Sequence, residues 1–366
     1  MLVKATIDRV VMLRALAALA LLMVSLLRTS EALAQMGEPH SGMGFIDHTG
    51  RMVIPARFAF AESFSEGVAV VAPGRKIKHG VVLDNGCINR RGRFVVKPNY
   101  EHIERFSDGL AVVRINGRYG FINKRGELVI PAKFDHADWF SEGLAGARLH
   151  RTFGYLDRTG GFRPLPAIKS GYRFREGLAC VCSTGRMYGF VDRSGKTVVE
   201  PRFEACEMFS EGLAGVKQGG KWGFIDRTGT FVIPAQFDDV SEFSEGFARI
   251  KLNGNYGYVD RKGQVVISPR FRQGWSFSDG LAAVALNDPT GAKWGYIDRS
   301  GRFIIKPQFN FALEFSEGLA PVEMSTPNGR LWGYIDRQGR LVVRPRFVAA
   351  RPFSEGLARV ALPPKP

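Results

Sequence analysis

Cysteine is scarce, four in 366 residues, and the spacings among Cys87, Cys180, Cys182 and Cys206 match no zinc finger or ribbon. The six histidines, His40, His48, His79, His102, His136 and His150, all fall in the first 150 residues and do not occupy one common repeat position. No His-Glu-x-x-His segment, nucleophile elbow, phosphate-cradling glycine loop or calcium loop can be read. These absences remove the usual metal, hydrolytic and nucleotide centres and predict no cofactor. Long apolar runs are missing too: the longest covers 15–27, short for a membrane span. Acid is in deficit, 35 residues against 51 Lys and Arg, giving a formal charge of +16.

The apolar run has its own meaning. Lys4, Arg9 and Arg14 precede it, and Ala32-Leu33-Ala34 supplies the small-x-small pattern that a signal peptidase cleaves. The expectation is a secretory signal at 1–34, a short tail at 35–41, and an exported chain, periplasmic or extracellular, with no remaining span. Removing 1–34 takes away four basic and two acidic residues and leaves +14. So basic an exported protein favours an envelope protein, an anionic polymer or a membrane surface as partner; nucleic acid is disfavoured.

Glycine, at 43, and phenylalanine, at 28, are abundant for one reason. FSEGLA occurs at 140–145, 209–214, 315–320 and 353–358, and FSEGVA, FSDGLA (twice), FREGLA and FSEGFA bring the total to nine. A second element leads from a glycine into apolar residues and an Asx, as in WGFID at 222–226, and also occurs nine times. From its glycine to the next FSEGLA-like glycine is always 23 residues, while successive units are spaced by 34 to 42. A fixed core with length variation at one place is the signature of stacked or radially repeated supersecondary units. The chain over 42–361 therefore reads as nine tandem units of about 34 residues, followed by a tail at 362–366.

Within 203–233 the alternation predicts antiparallel segments at 203–209, 212–217, 221–226 and 230–233. Asp226-Arg-Thr-Gly229 fits a tight reversal, Pro234 is expected to close the last strand, and Gly223 to lie beneath an aromatic ring. The repeated Ser and acid precede a glycine, where side-chain oxygens can accept exposed backbone N–H groups. Nine equivalents point to a structural clamp and not to one active site.

The WG, D-x-x-G, V-I-x-P and FSEGLA-x-V elements together resemble the WG-repeat family of bacterial proteins, over nearly the whole of 42–361. The resemblance implies an all-β repeat protein that mediates binding, with no reaction attached. The second unit departs from it at Gly86-Cys87, which has no leading aromatic, and the fourth at Pro164-Leu165-Pro166 and at Ile168, where other units carry an aromatic.

In this phase the chain starts with two strands of one unit and ends with the other two. Such halves can complete a shared blade, so a propeller-like ring is favoured over an open β-solenoid. Function follows as non-catalytic binding or scaffolding. The alternative, a glycan-acting hydrolase or lyase, requires a unit that departs by exposing acids, bases or a nucleophile, and the fourth unit departs with prolines. Connections at 72–85, 287–292 and 325–330 are long, and the first gathers Arg75, Lys76, Lys78 and His79 as candidate contacts for an anionic partner. In an oxidising compartment Cys206 is a candidate for a bridge to Cys180 or Cys182.

Overall fold

The computed structural model describes residues 42–73, 75–77, 80–82, 84–286, 291 and 293–364, those at 75–77 and 80–82 as backbone only. Their strands form nine four-stranded antiparallel sheets and a separate two-stranded one. The nine sheets are the blades of a ring. Numbered in order, blades 1 to 8 cover 60–100, 102–134, 136–164, 168–203, 205–237, 239–271, 273–309 and 311–347; blade 9 joins 349–362 to 42–58.

Each blade runs a-b-c-d, which in blade 5 is Ala205–Cys206, Ala214–Gln218, Lys221–Ile225 and Phe231–Phe237. Strand d is the outer edge. Its residues alternate between buried and exposed, with Val232 at 42% exposure, and a proline interrupts its unpaired edge, which discourages a foreign strand from adding. At the opposite edge equivalent residues of successive blades touch one another, Arg105 and Arg173 lying over the Trp139 ring at 4.4 and 4.5 Å.

Two local expectations are corrected here. Strand d does not stop at the proline; it runs through Pro234 to Phe237, with a register shift between Trp222 and Phe224 on strand c. Nor does Gly223 lie beneath a ring. A Cβ there would stand 2.5 Å from the Ile233 carbonyl oxygen and 2.7 Å from the Pro234 carbonyl carbon, so the close approach is that of the irregular d-strand backbone.

Strands b and c are buried on both faces because each blade is covered by two neighbours. Ile225 joins Phe203 and Phe209 on one side, while Phe224 joins Phe237, Val240 and Phe243 on the other. The aromatic after the repeated glycine meets the FSEG phenylalanine of the next blade edge-on: Phe224 and Phe243 at 4.8 Å, Tyr296 and Phe315 at 4.8 Å, Phe45 and Phe64 at 4.9 Å. Cys87 takes that place between blades 1 and 2. The ring closes in blade 9, where Gly42 to Ile46 pairs with Leu362 to Ala358 in continuous antiparallel register.

Candidate functional site

Two features repeat too regularly to be a site. Ser-Glu-Gly-Leu is a two-residue hairpin turn: Ser210 and Leu213 exchange backbone hydrogen bonds, with φ of +54° at Glu211 and +84° at Gly212. The acid does not serve its own turn. Glu211 accepts the Gly246 N–H of the next blade at 3.0 Å, and the same bond recurs at all nine junctions, ending with Glu355 and Gly67 at 2.9 Å. The serine donates instead of accepting: Ser210 Oγ reaches the Phe243 carbonyl at 2.8 Å, and Ser354 reaches Phe64 across the closure. The expected clamp exists, but it works between blades.

The residue after each Asx is basic in all nine units, from His48 to Arg337. These bases lie over the acid turn of the preceding blade: Arg90 with Glu355 at 2.9 Å, Lys124 with Glu66 at 3.1 Å, Arg299 with Glu245 at 3.2 Å. The c–d turns are self-contained as well. Asp226 takes the Thr228 hydroxyl and the backbone N–H groups of Thr228 and Thr230, and with Asp47, Asp157, Asp192 and Asp298 is held below the usual carboxylate value by such bonds. At the inner edge burial pushes Glu62 and Asp138 the other way, helped by Glu104 in the blade between; Arg359 opposes it at Glu62 and His136 at Asp138. No three His, Cys, Asp or Glu among the described residues are placed to hold a metal ion.

The opposite face carries the b–c connections, and all three long connections lie there. In the first, 75–77 and 80–82 pair as the two-stranded sheet. Lys78, His79 and the side chains of Arg75 and Lys76 lie outside the described residues.

On this face a cleft of about 370 Å³ opens between blades 3 and 4, lined by Arg148, Arg151, Lys169 and Arg186 with Thr152, Phe153, Pro166, Ile168 and Thr184. Its cause is the short d strand of blade 3, Phe162–Pro164, which sets Arg163 opposite Tyr155 where blade 5 has Ile233 opposite Phe224, and ends before the position that Phe237 fills. Ile168 then stands where the other units have an aromatic. The buried cluster at this junction is correspondingly thin: six residues among those described, against seven to twelve at the other eight junctions. The loop of blade 4 is fixed to the irregular linker by Thr184 N–H to the Ala167 carbonyl at 3.0 Å.

Charge is unbalanced here. In blades 3, 5 and 6 an acid follows the preceding strand-d aromatic and accepts from the b–c hairpin: Asp135 from Arg151 N–H, Glu204 from Gly220 N–H, Asp238 from Asn253 N–H. In blade 4 that position is Lys169. Arg148 spends one N–H on the Lys169 carbonyl at 2.7 Å, and among the described residues the side chains of Arg151, Lys169 and Arg186 meet no carboxylate. None of these four cations was singled out from the sequence; the signal available was the anomaly of the fourth unit.

The cysteines fall nearby. Cys180, on strand b of blade 4, is bridged to Cys206, on strand a of blade 5, with Cα atoms 6.5 Å apart, while Cys182 and Cys87 are free and buried. Arg249 and Arg359 occupy the position of Cys180 in blades 6 and 9 and donate to the strand-a carbonyls of Gly274 and Ala61 in the next blade. The bridge replaces a hydrogen bond at one of these junctions.

The sequence profile of the WG containing repeat matches eight times, at 43–72, 86–119, 119–150, 188–222, 222–256, 256–288, 294–325 and 332–362. The chain belongs to the WG-repeat family. The unit without a profile match is the fourth, whose linker and first strand wall the cleft. A eukaryotic initiation factor structure aligns with a TM-score of 0.55 and 11% identity over 83% of this chain and 95% of its own, a likeness of fold. BamB from Moraxella catarrhalis aligns at 0.39 and 12% identity over 71% of this chain and 96% of its own. No curated protein matches the sequence. WG-repeat architecture here is thus a nine-bladed propeller.

Proposed function

We propose that this WG-repeat propeller is an exported, non-catalytic binding or scaffolding protein that engages an anionic partner of the cell envelope or exterior through its b–c face. The observation that carries the reading is the contrast between the two faces. On the c–d face bases meet the carboxylates of neighbouring blades and hold the ring together. On the b–c face Lys221 pairs with Asp238, but at the cleft between blades 3 and 4 the side chains of Arg151, Lys169 and Arg186 meet no carboxylate among the described residues, and uncompensated charge beside a concavity attracts anions. Export rests on the composition of residues 1–34.

A pull-down from envelope extract with residues 35–366, across a salt titration, tests the proposal. Capture that falls steeply as salt rises from 50 to about 500 mM is expected, because screening shortens the reach of surface charge. Partners retained equally throughout would remove the electrostatic basis of the reading.

A further inference from the structure

We infer that the cleft between blades 3 and 4 is a site for a phosphate monoester carried on a small polar ring or on the end of a polymer. This rests on the binding role proposed above and names its ligand chemistry. Three departures from the repeat meet at this one place. Ile168 replaces an aromatic and opens the space; Lys169 puts a cation where blades 2, 3, 5 and 6 carry an acid; His150-Arg151 replaces a turn sequence that the backbone favours.

The third departure is informative because it carries a cost. The two-residue turn between Leu149 and Thr152 requires left-handed backbone at both positions, φ +46° at His150 and +66° at Arg151. Blades 2 and 6 meet the same demand with Asn116-Gly117 and Asn253-Gly254, and blade 5 with Gly219-Gly220. A side chain with a Cβ is disfavoured there, because in left-handed backbone it crowds the following carbonyl oxygen. That cost places Arg151 on the cleft wall opposite Lys169 and Arg186.

Two or three guanidinium forks and an ammonium suit a doubly charged, tetrahedral oxyanion better than a single carboxylate, since each planar fork can take two phosphate oxygens. The volume exceeds that of phosphate alone. Phe153, Pro166 and Ile168 offer a small apolar face and Thr152 and Thr184 bring hydroxyls, which together fit a hydroxylated ring bearing the anion.

Isothermal titration of residues 35–366 with glucose 6-phosphate, glucose and inorganic phosphate, beside salt elution from phosphocellulose, tests the inference in wild type, Arg151→Gly and Lys169→Glu. Expected are binding of glucose 6-phosphate but not glucose, at least tenfold weaker in either variant, and a higher Tm for Arg151→Gly, which excludes misfolding as the cause. If only phosphocellulose elution shifts to lower salt in the variants, the anion belongs to a polymer and the site stands. Binding that is unchanged in both variants, or absent for both probes, overturns it. Salt-dependent capture from envelope extract that survives Arg151→Gly would leave the general binding role intact while this site falls.

Discussion

At the residue scale the repeated acid does an unusual thing: it adopts a left-handed backbone nine times over. Glycine or asparagine would relieve that strain but neither offers a carboxylate long enough to reach the next blade. The exchange is favourable because a hydrogen bond from backbone N–H to a charged acceptor is worth about 1.5–3 kcal/mol, against roughly 1–2 for the conformation. Alanine at the same position keeps the strain and removes the bond. Glu211→Ala should therefore destabilise by about 1–3 kcal/mol in urea unfolding, whereas Glu211→Gly, which removes strain and bond together, should lose less. Equal losses would mean that the left-handed backbone at 211 stores no strain for glycine to relieve, and no loss in Glu211→Ala would mean that the carboxylate contributes nothing.

At the element scale the blade was largely legible in the sequence. The a-b-c-d order and the shared ninth blade follow from the phase of the repeat, and the Phe224 and Ile225 sides follow from alternation. The irregular d strand at Pro234 did not, because proline marks a missing donor without saying whether the strand ends or bends. The cleft was illegible for a related reason: Arg148 and Lys169 are 21 residues apart and meet only because strand d of blade 3 stops at Pro164. The Cys180–Cys206 bridge belongs to this scale, since it ties blade 4, beside the thinnest junction, to blade 5. A sequence separation of 26 gives a chain-entropy stabilisation of about 3–4 kcal/mol. With the bridge formed, reduction or Cys206→Ala should lower Tm by about 5 °C, while Cys182→Ala, which leaves the bridge in place, should respond to reductant as wild type does.

For the whole molecule, closure is the property that separates a ring from a rod. A solenoid leaves its terminal units far apart and must cap each of them. Here Gly42 pairs with Leu362, Glu355 holds the Gly67 N–H, and Ser354 bonds the Phe64 carbonyl, so the last junction has the same contacts as the other eight. The two ends of the described chain therefore lie side by side, and the covalent break can be moved. Joining 362 to 42 through a short glycine linker and opening the chain at the exposed Gly219-Gly220 turn should give a permutant with native far-UV circular dichroism and a Tm within a few degrees of wild type. An open array would respond differently, because that linker could not span its length and the new ends would split blade 5. A permutant that is soluble only as higher oligomers would show that neighbouring chains, and not the two ends of one chain, complete blade 9.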